Sequence, residues 1–178
     1  MSRGHNELTT PVSANDHAQG PGDAAVTLVE YGDYECSYCG MAYPIVKRVH
    51  ARLGKQLRFV FRNFPLAEAH PHATAAAELA ESAALQGRFW EMHDVLYEHQ
   101  SALGPADLER HAKKVGLDLD TLEAALRGGG PHKRVQADFM SGVRSGVNGT
   151  PTFFINGQRF DGDWRDEEIL TAALGARG

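Results

Sequence analysis

From Ala24 to Tyr31 the chain reads Ala-Ala-Val-Thr-Leu-Val-Glu-Tyr, a short apolar, β-branched stretch ending at Gly32-Asp33. Its length and composition are those of a buried strand. From Cys36 onward, Met41, Ile45, Val46, Val49 and Leu53 recur at helical spacing, and Gly54 follows as a stop. Pro44 falls inside this helix, where its missing N–H predicts a kink. Leu57, Phe59 and Phe61 then alternate with Arg58, Val60 and Arg62, the period of a second strand. Strand, helix and strand in close succession make a βαβ unit, which calls for parallel strands and a right-handed crossover.

Between Pro65 and Val147 the period becomes helical. Ala73 to Leu85 is alanine-rich, and further stripes run through Phe89, Met92 and Leu96, through Leu108, Ala112 and Val115, and through Leu119, Leu122 and Leu126. A last one, near His132 to Val147, carries Val135, Phe139 and Val143. Breaks at Gly87, Gly104-Pro105, Gly116 and Gly128-Gly129-Gly130-Pro131 separate these helices. The stripes read as helix packing rather than as a cofactor pocket.

Strand character returns at Thr152 to Ile155, and Asn156-Gly157 predicts a tight hairpin to Gln158 to Phe160, because both turn positions of that hairpin take positive φ. Asp166, Glu167 and Glu168 load the first turn of a closing helix whose Ile169, Leu170 and Leu174 face inward. The class is α/β, in the order βαβ, helical block, ββα. Residues 1–23, rich in Ser, Asn, Asp, Gly and Pro, form an expected mobile arm. Segments 24–64 and 148–178 supply the sheet domain, and 65–147 a helical domain inserted into it.

Composition narrows the function classes. The 178 residues are 42% hydrophobic and 23% charged, close to the globular average. A chain of this size buries roughly 70% of the surface its unfolded form exposes, enough for a core without disulfide staples. The two cysteines are therefore free for chemistry. Net charge is −5 and the basic residues are scattered, which argues against nucleic acid or an anionic membrane as partner. No apolar run approaches the ~20 residues of a spanning helix. The opening residues lack the apolar segment of a secretory signal, so the expected compartment is the cytoplasm.

Cys36-Ser37-Tyr38-Cys39 lies between a strand and the helix after it. In that context C-x-x-C reads as a redox dithiol, because the first thiol meets unpaired amide hydrogens at the helix start. Those amides stabilise a thiolate, the attacking species in thiol–disulfide exchange. The spacing lets Cys39 resolve a mixed disulfide formed at Cys36. Asp33 and Glu35 bring opposing negative charge, and neither Ser37 nor Tyr38 brings a positive one, so a moderately acidic Cys36 is expected. The alternative is half of a zinc site, with His70 and His72 completing Cys₂His₂. The short, rigid His-Pro-His and the lack of a second C-x-x-C weigh against it. His70, His72 and His93 otherwise read as structural or surface histidines.

The strings VTLVEYGDYECSYC, RFVFRNFPL, HPHATAAAELAESAALQGRFWEMHDVLY and SGVNGTPTFFING, from about His17 to the C-terminus, resemble the DsbA-like branch of the thioredoxin superfamily. That branch includes stand-alone bacterial members and a similar domain fused to some sodium–proton antiporters. The resemblance implies a thioredoxin-like fold, a mixed central sheet with a helical domain inserted before the third strand. It also implies that Pro151, in Gly149-Thr150-Pro151-Thr152, is the cis proline beside the dithiol, leaving the Thr150 backbone free to pair with a substrate strand. Glu30, six residues before Cys36, matches the buried acid that exchanges a proton with Cys39; read from the strand alone, it could equally face solvent. Pro44 matches a kink proline of structural role. Many relatives have proline directly after the first cysteine where this chain has Ser37, so Ser37-Tyr38 leaves open whether the protein oxidises, reduces or isomerises. Tyr38 is either a substrate contact or a surface residue.

The leading expectation is a DsbA-like dithiol–disulfide oxidoreductase acting on protein or small thiol substrates, with a separate recycling partner and no metal or organic cofactor. The competing expectations are a redox-sensing module that docks on a transporter or other partner, and a zinc-binding interaction module.

Overall fold

A computed structural model describes residues 6–178. Five strands form one sheet: β1 (His17–Gln19), β2 (Val26–Gly32), β3 (Leu57–Asn63), β4 (Thr152–Ile155) and β5 (Gln158–Phe160), in the order β1-β3-β2-β4-β5. β2 and β3 are parallel and every other neighbouring pair is antiparallel. The helix α1 (Ser37–Leu53) makes the β2 to β3 crossover and continues through Pro44. Five helices fall between β3 and β4: α2 (Ala73–Leu85), α3 (Phe89–Glu98), α4 (Pro105–Val115), α5 (Leu119–Gly128) and α6 (Gly130–Arg144). α7 (Glu167–Gly175) closes the chain, its first turn capped by the Asp166 carboxylate on the Glu168 and Ile169 amides.

β2 is central, so both of its faces are buried. Val26 and Leu28 belong to the large core shared with α1, α2, α3 and α7, while Val29 and Tyr31 pack on the opposite face with Val60, Phe64 and Phe154. Glu30 shares the face of Leu28, between Phe61 of β3 and Phe153 of β4 in register. Burial is therefore imposed on this carboxyl by strand position. The hairpin turn has the geometry that Asn-Gly favours, with φ +48° at Asn156 and +82° at Gly157. Among the described residues, no helix is long and apolar enough to cross a membrane.

Two expectations are corrected. Residues 6–23 are not a loose arm. β1 pairs with β3, Leu8 N–H donates to the Gly157 carbonyl at 2.8 Å, and Arg159 N–H donates to the Asn6 carbonyl at 2.8 Å. Residues 1–5 of the expected arm lie outside the described residues. The cause is Arg62, 2% exposed, which donates to both Asp16 oxygens at 2.9 and 3.0 Å, to the Thr10 and Pro11 carbonyls and to the Tyr31 hydroxyl. A buried guanidinium must be satisfied in this way, and the preceding segment supplies four of its five hydrogen bonds among the described residues. Met41, Leu126, Val143 and Ile169, read as inward-facing, are exposed. Each lies at the margin of a stripe whose centre is filled by another residue, as Leu170 and Leu174 fill that of α7.

Candidate active site

Cys36 is the residue immediately before α1, in extended backbone (φ −72°, ψ 123°), and no acidic side chain enters the helix's first turn. Its sulfur therefore faces the unpaired first-turn amides, those of Tyr38 and Cys39. Cys39, one turn inward, is completely buried, and the two are free thiols. The Cys36 pKa is lowered to about 5, chiefly by the hydrogen bond from Cys39; burial opposes the shift, and the Thr150 hydroxyl and the two amides reinforce it. Cys39 moves well above its ordinary value, first through burial and then through its bond to Cys36. The two thiols are thus pushed apart in acidity, Cys36 toward the thiolate and Cys39 toward the thiol.

Across from Cys36 the chain passes through a cis Thr150–Pro151 peptide bond. The Cys36 thiol donates to the Thr150 carbonyl at 3.5 Å. The Thr150 Oγ1 is buried with no other partner, so its proton is available to a Cys36 thiolate. Ser37 and Tyr38 are exposed, Tyr38 at 55%, beside the half-exposed Met41.

Glu30 is 2% exposed, and its Oε1 has no hydrogen-bond partner among the described residues. Burial first, and the charge of Cys36 second, push its pKa up to about 8. It lines a cavity of about 310 Å³ together with Tyr43, His50, Trp90, His93 and Tyr97. His93 is held neutral, its pKa lowered to about 3 by burial, and its Nδ1 shares a hydrogen bond of 3.0 Å with the Tyr34 hydroxyl.

The sequence did not single out Gln100 or Gly40, nor the pairing of His70 and His72 with Asp33 and Glu35. The Gln100 amide donates to the Tyr34 and Cys36 carbonyls at 2.8 and 2.9 Å, clamping the loop before α1 from the end of α3. A side chain at Gly40 would meet Gln100 at 2.0 Å, so the glycine after Cys39 makes room for that clamp. Asp33 is 1% exposed and accepts from the amides of Glu35 and Leu66 and from His70 Nδ1, at 2.7, 2.9 and 2.7 Å. Glu35 accepts from the amide and the Nδ1 of His72, at 2.6 and 3.0 Å. His70 and His72 thus face the acids flanking the dithiol. Among the described residues, no three His, Cys, Asp or Glu side chains are grouped to hold a metal ion. Gly40, directly after the second cysteine, was the available signal for Gln100; nothing local linked the histidines to the acids.

A family model described as Thioredoxin matches residues 12–173. The chain belongs to this family. Among solved structures it is similar to BdbD from Bacillus subtilis (oxidised), with TM-score 0.84 and 22% identity over 97% of each chain. It is also similar to a thioredoxin-like oxidoreductase from Silicibacter pomeroyi, with TM-score 0.80 and 25% identity over 93% of this chain and 94% of that one. The thiol–disulfide exchange protein alpha-DsbA2 from Wolbachia pipientis matches with TM-score 0.81 and 18% identity, over 93% of this chain and 88% of that one. The fold is therefore thioredoxin-like, with DsbA-type neighbours, and the family assignment makes the chain an oxidoreductase. Among curated sequences it is 46% identical to a Na(+)/H(+) antiporter NhaA 3 of Salinispora tropica and 44% identical to an NhaA 1 of Salinispora arenicola. It is covered over 98% and 99% of its own length, yet spans only 27% of each relative.

Proposed function

We propose that this thioredoxin-family oxidoreductase exchanges disulfides with protein or low-molecular-weight thiol substrates through Cys36 and Cys39. The observation that carries the reading is the split between the two sulfurs: Cys36 at the helix start with a pKa near 5, and Cys39 fully buried behind it and held protonated.

The Cys36 thiolate attacks one sulfur of a substrate disulfide, forming a mixed disulfide and releasing the other sulfur as a thiolate. Bond formation removes the charge on Cys36, one of the two causes that raise Glu30. The Glu30 carboxyl thereby becomes more acidic, and in its ionised form it takes the proton of the Cys39 thiol as that sulfur attacks. Cys39 then attacks Cys36 Sγ; the substrate leaves as a dithiol, and the enzyme keeps the disulfide. Two electrons pass from enzyme to substrate, and the reverse sequence oxidises a dithiol. In this reading Thr150 and Pro151 border the path of the substrate strand, Ser37 and Tyr38 present the exposed contact, and a separate redox partner recycles the couple. The cytoplasm is the proposed compartment, to be checked by fractionation.

Insulin reduction in a glutathione buffer tests the reading. Turnover is expected for the native protein, none for Cys36→Ser, and a trapped mixed disulfide for Cys39→Ser. Undiminished turnover by Cys36→Ser would overturn it.

A second reading, a redox-sensing module acting on a transporter, is favoured by one observation: the matched relatives are named antiporters, of which this chain covers little more than a quarter. Redox-dependent capture of an antiporter segment, with no insulin turnover, would favour it.

A further inference from the structure

Asp33 presents a problem that the exchange reading does not solve. It is a carboxylate at 1% exposure, three residues before the nucleophile and hydrogen-bonded through its backbone to both cysteines. Its N–H donates to Cys39 Sγ at 3.5 Å, and its carbonyl accepts the Cys36 N–H at 3.2 Å. A buried negative charge there opposes a thiolate at Cys36, because like charges raise each other's cost in a poorly solvated site. Two of its partners, the Glu35 and Leu66 amides, are neutral. Among the described residues, His70 is the one side-chain partner that can carry a compensating charge, from 2.7 Å.

We propose that His70 is a positioning residue of the dithiol. Through Asp33 it ties the loop carrying Cys36 to the loop between β3 and α2, and as an imidazolium it offsets the Asp33 charge that opposes the Cys36 thiolate. The proposal rests on Cys36 being the exchange nucleophile.

Three further observations fit this role. The two loops are joined at Asp33 from both sides, since Leu66 and His70 belong to one segment and Glu35 to the other. The His70 side chain is 24% exposed, so its ring exchanges protons with solvent while its Nδ1 stays on a buried oxygen. Burial works against the charged ring, but the bond and charge of Asp33, with the charges of Cys36 and Glu35, outweigh it and raise its pKa. A thiolate that favours the imidazolium is favoured by it to the same degree. Asp33, Glu35 and Cys36 are the titratable groups that act on His70, and Glu35 is itself engaged by the more exposed His72.

Two substitutions separate charge from tether. His70→Asn keeps a donor for Asp33 and removes the charge; His70→Ala removes both. The readouts are the equilibrium of the Cys36–Cys39 couple with glutathione, the pH titration of Cys36 by alkylation rate, and insulin turnover across pH. Losing the charge destabilises the reduced form, so both variants should shift the glutathione equilibrium toward protein disulfide by about three- to tenfold at pH 6 to 7. The shift should shrink at alkaline pH, where the native imidazole is neutral. Only His70→Ala should also raise the KM for insulin, because only it frees the loop. Native equilibrium and native Cys36 titration in a folded His70→Asn, beside normal wild-type turnover, would overturn the proposal. Absence of wild-type turnover would strike the exchange reading instead, while the glutathione equilibrium would still report on His70. Should His70→Ala fail to fold, His70→Asn alone decides.

Discussion

Arg62 and Glu30 sit on adjacent central strands at the same 2% exposure, yet the protein treats them in opposite ways. Arg62 has an ion pair with Asp16, two backbone carbonyls and a tyrosine hydroxyl, which together hold its charge permanently. Glu30 has a bare oxygen, a cavity and the dithiol for neighbours. The saturated site fastens the N-terminal segment to the sheet. The unsaturated one keeps its proton, because burial pushes its pKa up to about 8. A buried ionisable group stabilises structure when its partners are complete, and becomes available for chemistry when they are withheld.

The strongest way to break this contrast is to unbalance Arg62. Asp16→Ala leaves a guanidinium buried without its counter-charge and should cost about 3–5 kcal/mol, read as a lower urea midpoint. The alkylation rate of Cys36 should not change. The Asp16 carboxyl is held below its ordinary pKa, where burial is outweighed by the Arg62 hydrogen bond. Its contribution is therefore present above pH ~4 and lost as pH falls through the lowered value.

Glu30→Gln should slow attack by Cys39 on a preformed mixed disulfide by about a hundredfold, measured by stopped flow, with the Cys36 step spared. Unchanged resolution would remove Glu30 from the site. The pH dependence of stability sharpens the point. Glu30 is raised from 4.5 to about 8, so the folded state holds a proton that the unfolded state has lost, and stability falls as pH climbs through that window. Cys36 is lowered from 9.0 to about 5, so its thiolate adds stability as pH rises over much of the same range. In the reduced protein the two slopes oppose each other. In Cys36→Ser the upward slope of Cys36 should be lost, and Glu30→Gln should remove the downward slope of Glu30, as urea melts at several pH values would show.

Cys39→Ala removes the largest cause of Cys36 acidity, so ultraviolet titration of the thiolate should place Cys36 above about 5, toward its ordinary value. An unmoved titration would assign the acidity to the helix start and the Thr150 hydroxyl. The smallest effect is expected from Gly40→Ala, whose methyl displaces the Gln100 amide from the Tyr34 and Cys36 carbonyls. About 1 kcal/mol of stability should go, with faster hydrogen exchange confined to the loop before α1.

Much of this architecture was legible along the chain. The alternation of Leu57 to Arg62, the stripe from Cys36 to Leu53 and the Asn156-Gly157 turn each describe local geometry, and each became the element it predicted. The dithiol was legible for the same reason, since a strand end, C-x-x-C and a helix start are contiguous. The N-terminal segment was misread because its composition is that of a loose tail, while the guanidinium that captures it lies 46 positions beyond Asp16. His70 and His72 were legible as histidines but not as partners of Asp33 and Glu35, each 37 positions away.

By itself, then, the amino-acid order determined the periodic elements, their succession and the placing of a cysteine at a helix start, because these depend on neighbours a few bonds apart. Tertiary structure alone decided which ionisable groups would be completed and which left wanting: Arg62 enclosed by the N-terminal segment, Asp33 met by His70, and Glu30 held between Phe61 and Phe153 with an oxygen unpaired. The cost of a charge depends on the solvent and partners that packing removes or supplies, and those are set by contacts between positions far apart in the chain.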